Sequence, residues 1–119
     1  MNKTKSKEPI SHEDSTVFID FFGDYPIVRV LDFLLMHRIF DYSKREIAEN
    51  SDIGISTLNL FWGRLIERGI VMETRKPGKG SLYALNQDSP IVQELIELNL
   101  RLCFGLPQFK EKKKVAIEA

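Results

Sequence analysis

The sequence predicts a mainly helical α+β domain with one small β-hairpin. Three observations carry this prediction. Apolar residues recur with helical spacing in segments bounded by Ser, Pro or Gly; a turn rich in Gly and Pro, RKPGKG, separates two short strand-like segments; and 119 residues, 43% of them hydrophobic, suit one small domain. We expect this domain over residues 15–105, between a flexible arm (1–14) and a flexible basic tail (106–119).

The segment TVFIDFF, Thr16 to Phe22, is the first apolar stretch and fits either a short helix or a strand that stops at Gly23. Its three phenylalanines are too many for one exposed turn, so they are expected to pack against another surface. Pro26 suits the first position of the next helix. That helix buries one broad stripe, formed by Ile27, Val30, Leu31, Leu34 and Leu35.

A second, short helix and a tight turn follow. Ser43, with Glu46 three residues later, forms a capping-box pattern that predicts a helix from about residue 44 to residue 50. Residues 52–55 form the turn, in which Gly54 is predicted to take a positive φ angle.

A third helix leaves the turn, with Ser56 as the predicted N-cap, and extends to Arg68, where Gly69 ends it in the left-handed conformation. Its inward face is predicted to consist of Leu58, Phe61, Trp62, Leu65 and Ile66. Trp62 is therefore expected in the core and not as a platform for stacking bases. The outward face is predicted to consist of Ser56, Thr57, Asn59, Leu60, Gly63, Arg64 and Glu67.

The hairpin and the last helix complete the domain. The strands are predicted over residues 70–74 and 81–85, joined by the loop 75–80. Ser89 and Pro90 begin a helix that runs through Phe104. Because apolar residues cover more than half of its circumference, part of this helix is predicted to contact a second subunit. Cys103 is expected to fill the core or that interface.

Composition excludes several classes of protein. Lys plus Arg equal Asp plus Glu at 17 each, so any basic surface must be local. A single cysteine permits no internal disulfide, and two distant histidines give no metal-ligand spacing, so we expect neither metal nor cofactor. No apolar run approaches the roughly 18 residues of a membrane span, and no signal peptide is evident, which predicts a cytoplasmic protein.

Gly78-Lys79-Gly80-Ser81 raises the question of a phosphate-binding loop. That motif needs a first glycine where Glu73 stands and Ser or Thr where Gly80 stands, and a helix must follow, whereas LYALN follows here. No Ser/His/Asp set, carboxylate pair or Cys/His pair has supporting context either. The sequence therefore predicts a protein that is not an enzyme.

Two short helices joined by a tight turn, the second with a polar outer face, are typical of the helix-turn-helix unit, and the hairpin adds a wing. The segment DYSKREIAENSDIGISTLNLFWGRLIERGIV (41–71), with the hairpin and its closing Tyr-x-Leu-Asn (83–86), resembles the winged helix-turn-helix transcriptional regulators of archaea and bacteria, especially archaeal members of the MarR/ArsR-like group. The resemblance covers roughly residues 26–98.

This resemblance implies a sequence-specific regulator that binds double-stranded DNA, with the helix 56–68 in the major groove and the loop 75–80 along the backbone. The residues implied in DNA binding are Lys44, Ser56, Thr57, Asn59, Leu60, Gly63, Arg64, Arg75, Lys76 and Lys79. Residues 43–86 carry seven Lys or Arg and five Asp or Glu, a net charge of +2, which favours DNA on this half. Tight binding is expected to need a homodimer, formed through Thr16–Phe22 and Ile91–Phe104.

Gly63 is unusual within a helix because glycine costs about 1 kcal/mol relative to alanine there. It predicts a close approach by DNA or by another helix, and packing by a helix is the favoured cause. An alternative function is a winged-helix module that binds another protein within a larger transcription or replication assembly. The zero net charge and the apolar Leu60 favour this alternative.

Overall fold

The computed structural model describes residues 16–105, which form five helices and one two-stranded antiparallel sheet and confirm the α+β class. The predicted arm and basic tail lie outside these residues. No helix within residues 16–105 is long and apolar enough to cross a membrane. In chain order the elements are α1 (Val17–Phe22), α2 (Pro26–Met36), α3 (Lys44–Asn50), α4 (Ile55–Glu67), β1 (Val71–Arg75), β2 (Leu82–Leu85) and α5 (Pro90–Phe104).

One hydrophobic core joins α2, α3 and α4 to the hairpin and to the start of α5. The apolar residues of each helix lie on one face because they recur at helical spacing, and these faces meet. The most deeply buried side chains are Val30, Leu34, Leu35, Ile47, Leu58, Val71 and Val92. The predicted stripe of α2 is thus confirmed in its central residues.

Side-chain caps start three of the helices. In α3, the Ser43 hydroxyl accepts a hydrogen bond from the Glu46 amide at 3.1 Å, and the Ser43 amide donates to Glu46 Oε1 at 2.9 Å, so the predicted capping box is confirmed. The Ser89 hydroxyl likewise caps α5. Residues 17–22 form a helix and not a strand, because the Thr16 hydroxyl accepts from the Ile19 amide and caps α1.

The turn between α3 and α4 differs from the prediction in two ways. Gly54 is the N-cap of α4 with a φ of −79°, and the positive φ belongs to Asp52, at 59°. Asp reaches this region more readily than most residues because its side chain is short and polar. The predicted N-cap, Ser56, lies inside α4, which begins at Ile55 without a side-chain cap. Gly69, in contrast, has the predicted positive φ, 72°.

Arg29 of α2 links the loop before α2 to the turn between α3 and α4. Its guanidinium donates to Asp24 Oδ1 at 2.6 Å and to Asp24 Oδ2 at 3.0 Å, and a third N–H donates to the Asp52 carbonyl at 3.2 Å. The hydrogen bond with Arg29 lowers the pKa of Asp24. The same contact raises the pKa of Arg29. A side chain of α2 therefore holds the turn that precedes α4.

Helix α1 packs against α2 through one aromatic residue and one polar contact. Phe18 is buried, and Phe22 packs on it with ring centroids 4.8 Å apart, although Phe22 is still 40% exposed. Phe21 contacts the Phe22 ring at 5.0 Å and is 62% exposed. The Thr16 hydroxyl donates to Asp32 Oδ1 at 3.0 Å. Burial raises the pKa of the Asp32 carboxyl, and the hydrogen bond from Thr16 opposes that effect.

The hairpin begins directly after α4, and its strands pair from Val71 opposite Leu85 to Arg75 opposite Leu82, with an irregularity between Glu73 and Arg75. Residue 75 belongs to β1, and not to the predicted loop, because it still pairs across the sheet. Tyr42, in the connection between α2 and α3, exchanges two backbone hydrogen bonds with Tyr83, of 2.8 and 2.7 Å. The hairpin is thereby attached to the segment that enters α3.

Candidate nucleic-acid interface

Helix α4 buries one face and exposes the other. Leu58, Phe61, Trp62 and Leu65 are buried, as predicted, but Ile66 is 39% exposed because it lies at the edge of the stripe. The predicted DNA-facing residues Ser56, Asn59, Leu60, Gly63 and Arg64 are all exposed, and Thr57 is half-buried. Leu60 is 80% exposed, which leaves a large apolar side chain in the middle of a polar surface.

Gly63 lies on this exposed face, and no intramolecular contact requires a glycine there. A Cβ atom added there would meet no atom within 4 Å outside its immediate surroundings. The prediction that Gly63 allows helix packing is therefore wrong within the described chain. The open space beside it is available to a macromolecule that comes close to the α4 backbone.

Lys44, the first residue of α3, joins the exposed face of α4. Its ammonium nitrogen lies 2.6 Å from Asn59 Oδ1. It also lies 5.7 Å from the centroid of the Trp62 ring, within the range of a cation–π contact. The resemblance implied that both Lys44 and Asn59 contact DNA, and the structure shows that their side chains contact each other.

The hairpin carries the other predicted basic residues, and two of the three have acidic partners. Arg75 donates to both carboxylate oxygens of Asp41, at 3.0 and 3.3 Å. The Thr74 hydroxyl donates to the same carboxylate at 2.6 Å. Hydrogen bonding from Arg75 lowers the pKa of Asp41, and the same bond raises the pKa of Arg75. Arg75 therefore fastens β1 to the connection before α3.

The other two cations of the hairpin are held less firmly than Arg75. Lys76 approaches Glu73 Oε2 only to 3.8 Å, and both side chains are exposed, so this pair is weak. Lys79 is exposed at the hairpin turn. Within residues 16–105, neither Lys79 nor Arg64 makes an ion pair. These two charges can meet an anion without giving up an existing partner.

Both terminal helices, α1 and α5, carry exposed apolar side chains. On α5, Ile91 is 48% exposed and Phe104 is 69% exposed, and Leu98 and Leu100 are also partly exposed. On α1, Phe21 is also exposed. Cys103 is exposed as well, so of its two predicted places, the core and a subunit interface, the structure excludes the core.

Sequence reasoning missed Asp41 as a partner of the hairpin residue Arg75. No local pattern could have shown it, because Asp41 and Arg75 are 34 residues apart. Within the described part of the chain, no group of three or more His, Cys, Asp or Glu side chains could hold a metal ion. Comparison of the chain with protein-family models, with curated proteins and with solved structures finds no match.

Proposed function

We propose that this chain is a winged helix-turn-helix protein that binds specific DNA sequences and regulates transcription. In this proposal, α3 and α4 form the helix-turn-helix, α4 enters the major groove, and the β1–β2 hairpin is the wing that lies along the flanking backbone. The observation that carries the proposal is the face of α4, where polar groups and an accessible arginine stand opposite a fully buried apolar stripe. In a bacterial or archaeal cell, such a regulator acts in the cytoplasm.

The exposed groups of α4 have the chemistry that base reading needs. The fork of Arg64 can donate two hydrogen bonds to guanine, and the Leu60 side chain fits the methyl group of thymine. The Ser56 hydroxyl, near the start of α4, can bind a phosphate, as can Lys76 and Lys79 on the wing. Arg75 has a different part in this proposal, since it holds the wing in place through Asp41.

The triple variant Arg64→Ala/Lys76→Ala/Lys79→Ala is expected to bind duplex DNA at least about tenfold more weakly than the wild type, because it loses one base contact and two phosphate contacts. Fluorescence anisotropy with random-sequence duplex at low salt measures the loss. The slope of log K against log salt should also flatten by about 0.9 for each phosphate contact removed.

The charge-preserving triple variant Arg64→Lys/Lys76→Arg/Lys79→Arg is the matched control, and it should keep the salt slope. All three side chains are exposed, so neither variant should unfold the domain. Undiminished binding by the alanine variant would show that the assigned faces are wrong.

We further propose that the protein acts as a homodimer through Thr16–Phe22 and Ile91–Phe104. The exposed aromatic and aliphatic side chains of α1 and α5 support this proposal. Two subunits would place their α4 helices about 34 Å apart, one turn of DNA. Each subunit would then contact one half of the DNA site, and the two contacts together would give the complex its affinity.

Phe21→Glu/Phe104→Glu is expected to convert the dimer into a monomer, as measured by sedimentation equilibrium, because each glutamate would bury an unpaired charge in the interface. Ile39→Glu is the control, since Ile39 is 77% exposed and lies outside both segments. It should remain dimeric. A wild type that sediments as a monomer at every concentration would contradict the proposed dimer.

A second candidate function is a winged-helix module that binds a protein within a larger assembly. The exposure of Leu60, together with Ile55 at 42% on the same helix, favours it, because apolar side chains suit a protein partner. A monomer without affinity for duplex DNA is the result that would support this candidate.

A further inference from the structure

Lys44, Asn59 and Trp62 form a contact chain that links α3 to the exposed face of α4. The Lys44 ammonium lies 2.6 Å from Asn59 Oδ1 and 5.7 Å from the Trp62 ring centroid. Trp62 is 6% exposed and stands edge-on to Tyr83 with ring centroids 5.1 Å apart, so its ring is fixed in the core. The ammonium thus lies between a buried ring and the Asn59 side chain.

This contact determines which end of the Asn59 carboxamide is free. An ammonium group only donates hydrogen bonds, so its partner at 2.6 Å must be the amide oxygen and not the amide nitrogen. Within residues 16–105, the Asn59 carboxamide makes a hydrogen bond through Oδ1 to Lys44 and none through Nδ2. Asn59 is exposed. The Lys44–Asn59 pair therefore presents N–H donors, while its one good acceptor is already engaged by a cation.

We propose, on the basis of the proposed function, that Lys44 orients Asn59 so that the pair selects guanine over adenine in the major groove. Guanine offers two acceptors there, N7 and O6, which match two donors. Adenine offers the N7 acceptor and the N6 amino donor, and an unconstrained asparagine matches it with one donor and one acceptor. Oδ1 keeps a second lone pair, but an adenine amino group that approached it would lie beside the Lys44 ammonium, donor against donor. Lys44 is thus a positioning residue that reverses the usual preference of asparagine.

The test is selection of bound sequences from a random duplex library by the wild type, Lys44→Met, Arg45→Met and Asn59→Ala. Methionine keeps an unbranched apolar chain against Trp62 but removes the ammonium. Arg45→Met removes the same charge at the neighbouring residue, which is exposed and makes no ion pair within residues 16–105. Asn59→Ala identifies the base pair that Asn59 reads, because only that position loses its preference.

At that position the wild type and Arg45→Met should enrich guanine, and Lys44→Met should shift to adenine, with a change of at least about tenfold in the guanine-to-adenine ratio. In the free protein, the NMR resonances of the Asn59 side-chain amide should move on Lys44→Met and stay unchanged on Arg45→Met. Adenine at that position in the wild type, or the same preference with and without Lys44, would overturn the inference alone. If the wild type enriches no sequence, the proposed function fails and the inference fails with it.

Discussion

Leu58→Ala is expected to lower the free energy of unfolding by about 3 kcal/mol, whereas Leu60→Ala is expected to change it by less than about 0.5 kcal/mol. The two leucines lie two residues apart on α4, so helix propensity and residue type are the same. Leu58 is 0% exposed and Leu60 is 80% exposed. Truncation of the Leu58 side chain leaves a cavity between α4 and the rest of the core. Truncation of the Leu60 side chain opens no cavity, because water already surrounds it.

Urea unfolding followed by fluorescence of the single tryptophan, Trp62, measures both changes. Because Trp62 lies on the buried face of the same helix, its emission reports the loss of this packing. Similar losses for the two variants would show that α4 is rotated from the orientation described above, and the proposed DNA-binding face would fall with it. With the expected result, any binding defect of Leu60→Ala reflects a lost contact and not a weakened fold.

The elements of the fold were predictable because their signals are local. Ser43 and Glu46 form their capping box within one turn of helix, and the buried stripe of α4 follows from spacing alone. The turn before α4 was less predictable. Glycine accepts a positive φ more readily than other residues, but in this turn Asp52 has the positive φ. The backbone carbonyl of Asp52 accepts a hydrogen bond from Arg29 of α2. That contact is tertiary, so no pattern within the turn contained it.

The candidate site was predictable in part for the same reason. Helical periodicity correctly predicted that Asn59 and Arg64 are exposed, because the face that a residue occupies follows from its position along the helix. The contacts between side chains that are distant in sequence were not predictable in this way. Lys44 and Asn59 are 15 residues apart, and Asp41 and Arg75 are 34 apart. The sequence shows that these charged and polar side chains exist, and only the fold shows which of them are already paired.

Arg29 is the residue through which α2 fixes the turn before α4. It lies in a largely buried position, with 14% of its side chain exposed. Nε and Nη2 donate to the Asp24 carboxylate, and Nη1 donates to the carbonyls of residues 51 and 52 and lies 3.6 Å from the Asp52 carboxylate. Bidentate arginine–carboxylate pairs of this kind are stronger than ordinary surface ion pairs. Loss of the guanidinium would leave Asp24 and the carbonyls of the turn without their donor.

Arg29→Met is therefore expected to lower the free energy of unfolding by about 2 kcal/mol near neutral pH, since it removes charge-assisted hydrogen bonds but retains much of the side chain's apolar packing. Arg38→Met, two residues after the end of α2, is the control. The Arg38 side chain makes one hydrogen bond of 3.3 Å, to the Leu35 carbonyl, so its loss should cost less than about 0.5 kcal/mol. Urea unfolding of both variants and the wild type gives the comparison.

The pH dependence of the Arg29→Met effect separates the ion pair from packing. Arg29 holds the pKa of Asp24 below its ordinary value, so the pair stabilises the fold above the pKa of an unfolded aspartate, about 3.9, and loses that stabilisation as pH falls through the lower folded pKa. The difference between wild type and Arg29→Met should therefore shrink below about pH 4. A difference that stays constant down to acid pH would mean that Arg29 acts through packing alone. In that case the position of the turn, and with it the start of α4, would not depend on the charge of Asp24.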